Sequence, residues 1–441
     1  MHFNTLNQVR QQMYGCFERS RDALFNLSDA LLSESHARSL PELSLSVFFE
    51  RRWPSVYEAL QDGRINVERL RQVFVQALLE SKPADEPIWL GIDSSGMQRL
   101  EAVSSRDRGM IYVPNMPHAT KPVSVGYQFS TLMLLPAQPS SWVGILEQRR
   151  IGTDQTAIEV GIEQLRAVLP QLRGRPVILL ADRWYATASF VRACHDLGCP
   201  ALIRLKRNRK LYRAAPPRKA HQRGAPCKHG PLFQGTRPET YGPADAEWEG
   251  VDEHGKRVVV SCWKHLHFRE APQTEVSVIR VLREAARDTK RDPRESWFVW
   301  TGQEDIPLEQ VRAWYRKRFS QEHGYRYLKQ DLLWTQAHLR TPEQVERWSW
   351  IVACACNQLL LCQQLGQAML RPWESKQRAV TPRQVRRVMP SILSQLGTPA
   401  PRPKPRGKSP GWPKGRVRTP APRFLVVRKP KPVPKTHRKR A

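Results

Sequence analysis

Acidic residues are in short supply: 41 Asp and Glu stand against 71 Lys and Arg in 441 residues, a net charge of +30. That imbalance disfavours a cationic partner and points to a polyanion, of which nucleic acid is the commonest. There is no run of 18 uninterrupted apolar residues, so no membrane-spanning helix is expected. The opening Met1-His2-Phe3-Asn4 has no charged-then-apolar leader, so secretion is not expected and a cytoplasmic location is. Cysteine is scarce; eight residues in a chain of this length read as reduced thiols, not a disulfide framework. Paired CxxC half-sites, a Walker loop and a convincing GxGxxG are all missing, which argues against a zinc ribbon and a nucleotide cofactor. What is plentiful is apolar content: at 40% it excludes global disorder.

The deficit of acid is complete at the C-terminus. Residues 401–441 hold 15 Lys or Arg, ten Pro and no Asp or Glu. Proline blocks helix and like charges repel, so this segment is expected to be an extended, disordered polycation. It reads either as a solubilising tail or as a nonspecific phosphate-binding arm. Residues 1 to about 85 read as helical: after Asn66, the residues Leu70, Val73, Phe74, Ala77 and Leu78 fall at helix spacing. They serve either as packing support or as a small domain that binds DNA ends. From Pro87 the texture changes. Residues 87–93, 127–136, 175–182 and 199–206 are short apolar runs, with a helix expected over 187–197; together they suggest a mixed α/β sheet with buried strands. Residues 207 to about 294 are polar and rich in Gly and Pro, with strand-like pieces at 257–262 and 275–282. A helical region follows over 308–367, where Trp348, Val352, Ala355, Leu359 and Cys362 make a core-facing stripe.

Two of the apolar runs end in an aspartate, Asp93 and Asp182. The carboxyl ends of buried strands are where open α/β sheets place their active crevice. Two carboxylates meeting there repel unless cations neutralise them, and hard divalent ions suit all-oxygen donors. A strand-end Asp can equally be a helix cap. The sharper signal is residues 315–329, YRKRFSQEHGYRYLK. At about 100° per residue, Tyr315, Arg318, Glu322 and Lys329 lie within about 60° of one another on a helix, and Arg326 joins them. The plainer reading is an exposed face laced with ion pairs such as Arg318 with Glu322. Gly324 inside the same helix suggests close approach of a partner. A second basic element, residues 204–223, has nine Lys or Arg and no acid, and reads as a DNA-facing loop or a merely solvated one.

The pattern Tyr-x2-Arg-x3-Glu-x6-Lys, with Asp93 and Asp182 ahead of it, resembles the YREK signature of bacterial insertion-sequence transposases of the DDE type, over about residues 87–370. Tyr185 matches an aromatic of that family, and Trp184 stands where the family has a small residue. The resemblance implies an α/β fold with an RNase H-like core, a mixed five-stranded sheet flanked by helices, built from residues 86–206 and 297–372. A β-rich insertion would occupy 207–296, an N-terminal helical domain 1–85, a helical segment 373–400 and the basic tail 401–441. It implies Asp93, Asp182 and Glu322 as catalytic residues holding two Mg²⁺ ions, with Mn²⁺ able to substitute. Tyr315, Arg318, Arg326 and Lys329, with Arg183, Tyr185, Arg204, Lys206 and Arg207, become the expected DNA contacts. Trp184, Trp263, Trp297 and Trp300 become candidates for stacking on an extruded base, core packing being the other reading. The implied partners are double-stranded DNA, as the element's terminal inverted repeats and as target, and a second copy in an end-paired homodimer at the bacterial nucleoid. The alternatives are an RNase H-like nuclease without strand transfer and a catalytically dead DNA-binding descendant.

Overall fold

The computed structural model describes residues 3–428, apart from 81, 84, 114–121, 173, 219–224, 254, 285–293, 406–410, 412 and 418. Five helices open the chain: α1 (Phe3–Gly15), α2 (Arg21–Ser33), α3 (Leu40–Leu43), α4 (Pro54–Asp62) and α5 (Val67–Leu79). A two-stranded ribbon, β1 (Phe17–Arg19) with β2 (Arg64–Ile65), ties them together. The side chain of Asn66 accepts the Arg69 amide and starts α5, whose apolar face is buried as its spacing predicts.

The body is a mixed sheet. Its central strands are β3 (Ile88–Gln98), β5 (Val123–Leu134), β6 (Gly144–Ile151), β7 (Val177–Ala181) and β8 (Ala201–Arg204). β3 pairs antiparallel with β5 and parallel with β7; β5 pairs antiparallel with β6, and β7 pairs parallel with β8. The resulting order β6-β5-β3-β7-β8 is consistent with an RNase H-like fold. A short strand, β4 (Gly109–Tyr112), forms the free edge beyond β5.

The sheet does not stop at five strands. β14 (Glu295–Trp300) pairs with β8, and β13 (Ala271–Arg283) and β12 (Arg257–Phe268) follow in turn. β9 (Lys210–Tyr212), β10 (Leu232–Gln234) and β11 (Ala246–Val251) complete twelve strands among the described residues. The extension arises because β8 leaves its outer edge unpaired, and an unpaired strand edge readily templates another strand. Trp263, Trp297 and Trp300 are buried within this extension, so core packing accounts for them.

Helices cover both faces. α6 (Ala157–Val168) begins in a capping box between Thr156 and Glu159 and lies on the face of Ile92, where Gly161 leaves room for it. α7 (Ala188–Asp196) is capped by Thr187. On the opposite face, α8 (Val311–Arg316), α9 (Phe319–Gln330) and α10 (Pro342–Leu361) follow β14. The expected stripe on α10 is buried throughout, and Asn357 both donates to and accepts from the backbone of Ile145, pinning the start of β6. α11 (Gln363–Ala368) and α12 (Pro382–Leu396) return to the N-terminal helices, where Arg386 donates to the carbonyls of Leu31 and Glu34.

The C-terminal segment differs from a wholly solvated polycation. Among its described residues, Phe424 donates its amide to Val103 and Val427 to Arg108, and Val427 forms a parallel bridge with Gly109 at the start of β4. Residues 429–441 lie outside the described residues.

Candidate active site

Strand periodicity decides which face each side chain meets. Gly91 faces α9, where an added Cβ would come 2.9 Å from Gln321 Oε1, and Ile92 faces α6. Asp93, two residues past Gly91, therefore turns to the α9 side. The parallel register sets Ile92 opposite Ala181. Asp93 and Asp182 each lie one residue beyond that pair, on neighbouring strands about 4.8 Å apart; Asp182 follows the end of β7, but β3 runs on past Asp93 to Gln98 in register with β5, so Asp93 sits within its strand and not at the end expected from the apolar run.

Asp182 begins a tight turn: its Oδ1 accepts the Arg183 amide at 2.7 Å and its carbonyl accepts the Tyr185 amide at 2.9 Å. Below the turn, Tyr185 is buried edge-to-face on Phe190, 4.9 Å between ring centres. Its ring props the turn from below, so the aromatic expected to contact DNA is buried in this structure. Trp184 is exposed, and Lys206 Nζ lies 3.8 Å from the centre of its ring.

The 315–329 segment is not one regular helix. α8 ends at Arg316, and the amides of Lys317, Arg318, Ser320 and Gln321 each bond to the carbonyl three residues back before α9 is established. This tightened turn still brings Arg318 to Asp93 and sets Glu322 beside it. Arg318 Nη2 donates to Asp93 Oδ2 at 3.0 Å and Nη1 to Glu322 Oε1 at 3.2 Å, so one guanidinium bridges the two carboxylates. Burial pushes the Asp93 carboxyl above its usual range; Arg318 pulls it down, while Asp182 and Glu322 push it further up. Burial works against the charge on Arg318, but Tyr315, Asp93, Asp182 and Glu322 around it raise its pKa and keep it protonated.

Several supports complete the site. Tyr315 is pushed up to about 12 by burial, and its hydroxyl reaches the Ala181 carbonyl at 3.5 Å while its ring packs on Phe298. Tyr325 donates to the Asp93 carbonyl at 2.9 Å and stacks on Trp334. Sequence reasoning passed over Tyr325; its place one turn beyond Gln321 on the sheet-facing side of α9 was the available signal. Lys329 is lowered by burial, with Asp93 opposing the shift, and it lines a groove with Ser94, Ser95, Gln98, Tyr112 and Gln336. Gly324 does have a close neighbour, Val143 of the same chain, 2.5 Å from where a Cβ would sit.

Of the remaining expected contacts, Arg183 and Arg326 are exposed, and Arg204 and Lys206 are half-buried beside the Asp182 turn. Arg207 is turned away into an ion pair with Glu295 at 3.1 Å. Among the described residues, no three His, Cys, Asp or Glu side chains stand together as a ready-made metal cluster. The donor set nonetheless suits a hard divalent cation: all-oxygen, anionic and mutually repelling, with Arg318 meeting part of that demand.

Asp93 within β3 and Asp182 just past β7, with Arg318 and Glu322 across from them, form an arrangement compatible with phosphoryl transfer. Residues 12–261 match the family model for DDE superfamily endonucleases, and the chain belongs to that family. The match takes in Asp93 and Asp182 and ends before Glu322. This is a DDE-type transposase family, its activity is of the nuclease or transposase type, and its members use divalent metal ions. No curated protein matches the chain. Among the described residues, no helix is long and apolar enough to cross a membrane.

Proposed function

We propose that the chain is an insertion-sequence transposase of the YREK subtype that cuts and joins the ends of its own element. The observation that carries this reading is that Asp93 and Asp182 each lie one residue past the paired Ile92 and Ala181, faced by Arg318 and Glu322. Asp93, Asp182 and Glu322 would hold two Mg²⁺ ions, or Mn²⁺, which when bound activate the attacking oxygen and stabilise the leaving one.

The reaction is in-line displacement at phosphorus, with water as the first nucleophile and the DNA 3′-hydroxyl as the second. The chain's own residues fix the geometry. The Ser94 amide holds Asp93 Oδ1 at 2.8 Å, and the Arg183 amide holds Asp182 Oδ1. Arg318, Lys329, Arg204 and Lys206 grip phosphates on either side of the carboxylates, contacts that position duplex DNA without reading sequence. Two ends must be cut and joined together, so a homodimer on paired terminal inverted repeats, with target DNA, follows from the chemistry.

Asp182→Asn tests the assignment. Mg²⁺-dependent cleavage of end-containing duplex should fall on the order of 10³-fold or more while DNA binding persists. Wild-type cleavage by that variant would reject the site. A strand-transfer assay with pre-cut ends separates a transposase from a nuclease that only cuts.

A further inference from the structure

One lysine near the site is buried and has no part in the proposed chemistry. Lys317 is 8% exposed and stands in the tightened turn between α8 and α9, next to Arg318. Its ammonium donates to the Ala137 carbonyl and lies 4.7 Å from the centre of the Trp89 ring. An ammonium has three N–H donors, and a buried cation is ordinarily paired with an anion. Among the described residues, no carboxylate stands within 4.0 Å of it.

Ala137 is also part of the wall of a cavity of about 360 Å³. The cavity lies between α5, the connection from β5 to β6, and the end of α10. Its lining is chiefly apolar: Leu78, Leu134, Trp142, Val143, Leu360 and Leu361. The Trp142 indole N–H is bonded to the Val380 carbonyl at 2.7 Å, so what it offers the cavity is its ring. A second lysine, the half-buried Lys82, lines the same cavity and also has no described carboxylate within 4.0 Å. Burial holds both ammonium groups below the usual lysine range. Lys82 lowers Lys317 further; the exposed Glu86 on the rim pulls Lys82 back up, and Arg175 opposes Glu86. Two cations left without a counter-ion at an apolar space are what an amphiphilic anion would complete.

We propose that this cavity binds a small organic anion with an apolar body and one carboxylate, the carboxylate received by Lys82 and Lys317 and the body by the leucines and Trp142. A carboxylate is favoured over a phosphate because no arginine lines the cavity among the described residues, and the forked, paired bonds that suit a dianionic phosphate are therefore missing. The wall is tied to the catalytic turn: the Ser140 amide donates to Ser320 Oγ at 3.0 Å, and Val143 packs against Gly324. An occupant therefore steadies the turn that carries Arg318 and Glu322. Neither the binding nor its readouts require the proposed cleavage activity.

The full chain, free of DNA, is titrated by calorimetry with octanoate. Acetate lacks the body, 1-octanol lacks the charge, and octyl phosphate carries a dianionic head. Octanoate should bind once per chain, with acetate and octanol each at least about tenfold weaker. Lys82→Met keeps the length of the side chain and removes its charge; it should weaken octanoate about tenfold and leave octanol unchanged. Lys317→Met should do the same. Octanoate should also slow amide exchange over residues 317–321.

Octanol binding as tightly as octanoate would overturn the proposal, as would unchanged octanoate affinity in Lys82→Met, or no saturable octanoate binding at millimolar concentration. Octyl phosphate binding at least about tenfold tighter than octanoate would overturn the choice of a carboxylate. Saturable binding with unaltered exchange over 317–321 would overturn the tie to the turn. Should Lys317→Met not fold, Lys82→Met decides alone.

Discussion

Arg318→Gln is the most informative single substitution, because the guanidinium stands where carboxylates would otherwise repel. Its side chain is 11% exposed, against 24% for Asp93 and 52% for Glu322. The Glu322 contact is largely solvated and worth at most about 0.5 kcal/mol. The Asp93 contact is a charge-assisted bond in a poorly solvated place, worth about 1.5–3 kcal/mol. Removing both should cost about 2 kcal/mol in the absence of divalent ions, with Asp93 left more basic than in the wild type. Glutamine cannot neutralise the carboxylates, so a divalent cation should gain what the arginine gave up. A difference of about 2 kcal/mol corresponds to roughly 30-fold tighter binding of Mn²⁺ to DNA-free protein. The assay is Mn²⁺ titration by calorimetry or electron paramagnetic resonance, beside urea unfolding with and without Mn²⁺. The variant should be less stable than wild type without metal and recover most of the deficit with it. Mn²⁺ affinity equal to or weaker than wild type in a folded variant would refute the reasoning. Cleavage should still fall, since the same guanidinium would no longer reach phosphate.

Two further substitutions probe the scaffold. Gly324→Ala places a methyl 2.5 Å from Val143 Cγ2 on the helix that carries Glu322. It should cost about 1–3 kcal/mol in urea unfolding and depress cleavage more than DNA binding. Glu253 is held down at about 2 by Arg312 first and by Arg316. A depressed carboxyl contributes stability that is present above about pH 4.5 and disappears as the pH falls through about 2. Glu253→Gln should therefore be less stable than wild type near pH 7, and the difference in unfolding midpoints should close between those two values. A gap independent of pH would show that the ion pairs contribute nothing.

The strands that carry the site were legible because their apolar stretches are buried on both faces: Asp93 and Asp182 close two such stretches, although β3 itself continues through the polar residues Ser94 and Ser95 to Gln98, which the run did not reveal. The α10 stripe was legible for the complementary reason, a single buried helical face. β6 was not, because its sequence, Gly144–Ile151, contains Glu147, Arg149 and Arg150. Glu147 is buried and neutralised by Arg71 and by Arg149 at 3.1 Å, partners that only the fold supplies. β4 and β9 are too short to show a period. The continuation of the sheet from β8 into β14 joins residues about a hundred positions apart and leaves no local mark. At the site, helical spacing placed Arg318 and Glu322 on one face but could not reveal that the arginine's stronger contact is Asp93, 225 residues away.

That continuous sheet has a mechanical consequence. From β10 to β4 each strand is hydrogen-bonded to the next, and β7, which ends just before Asp182, sits within the row beside β3, which carries Asp93. A displacement of an outer strand is therefore handed on toward the carboxylates through consecutive backbone ladders, the narrowest being the two residue pairs that join β12 to β9.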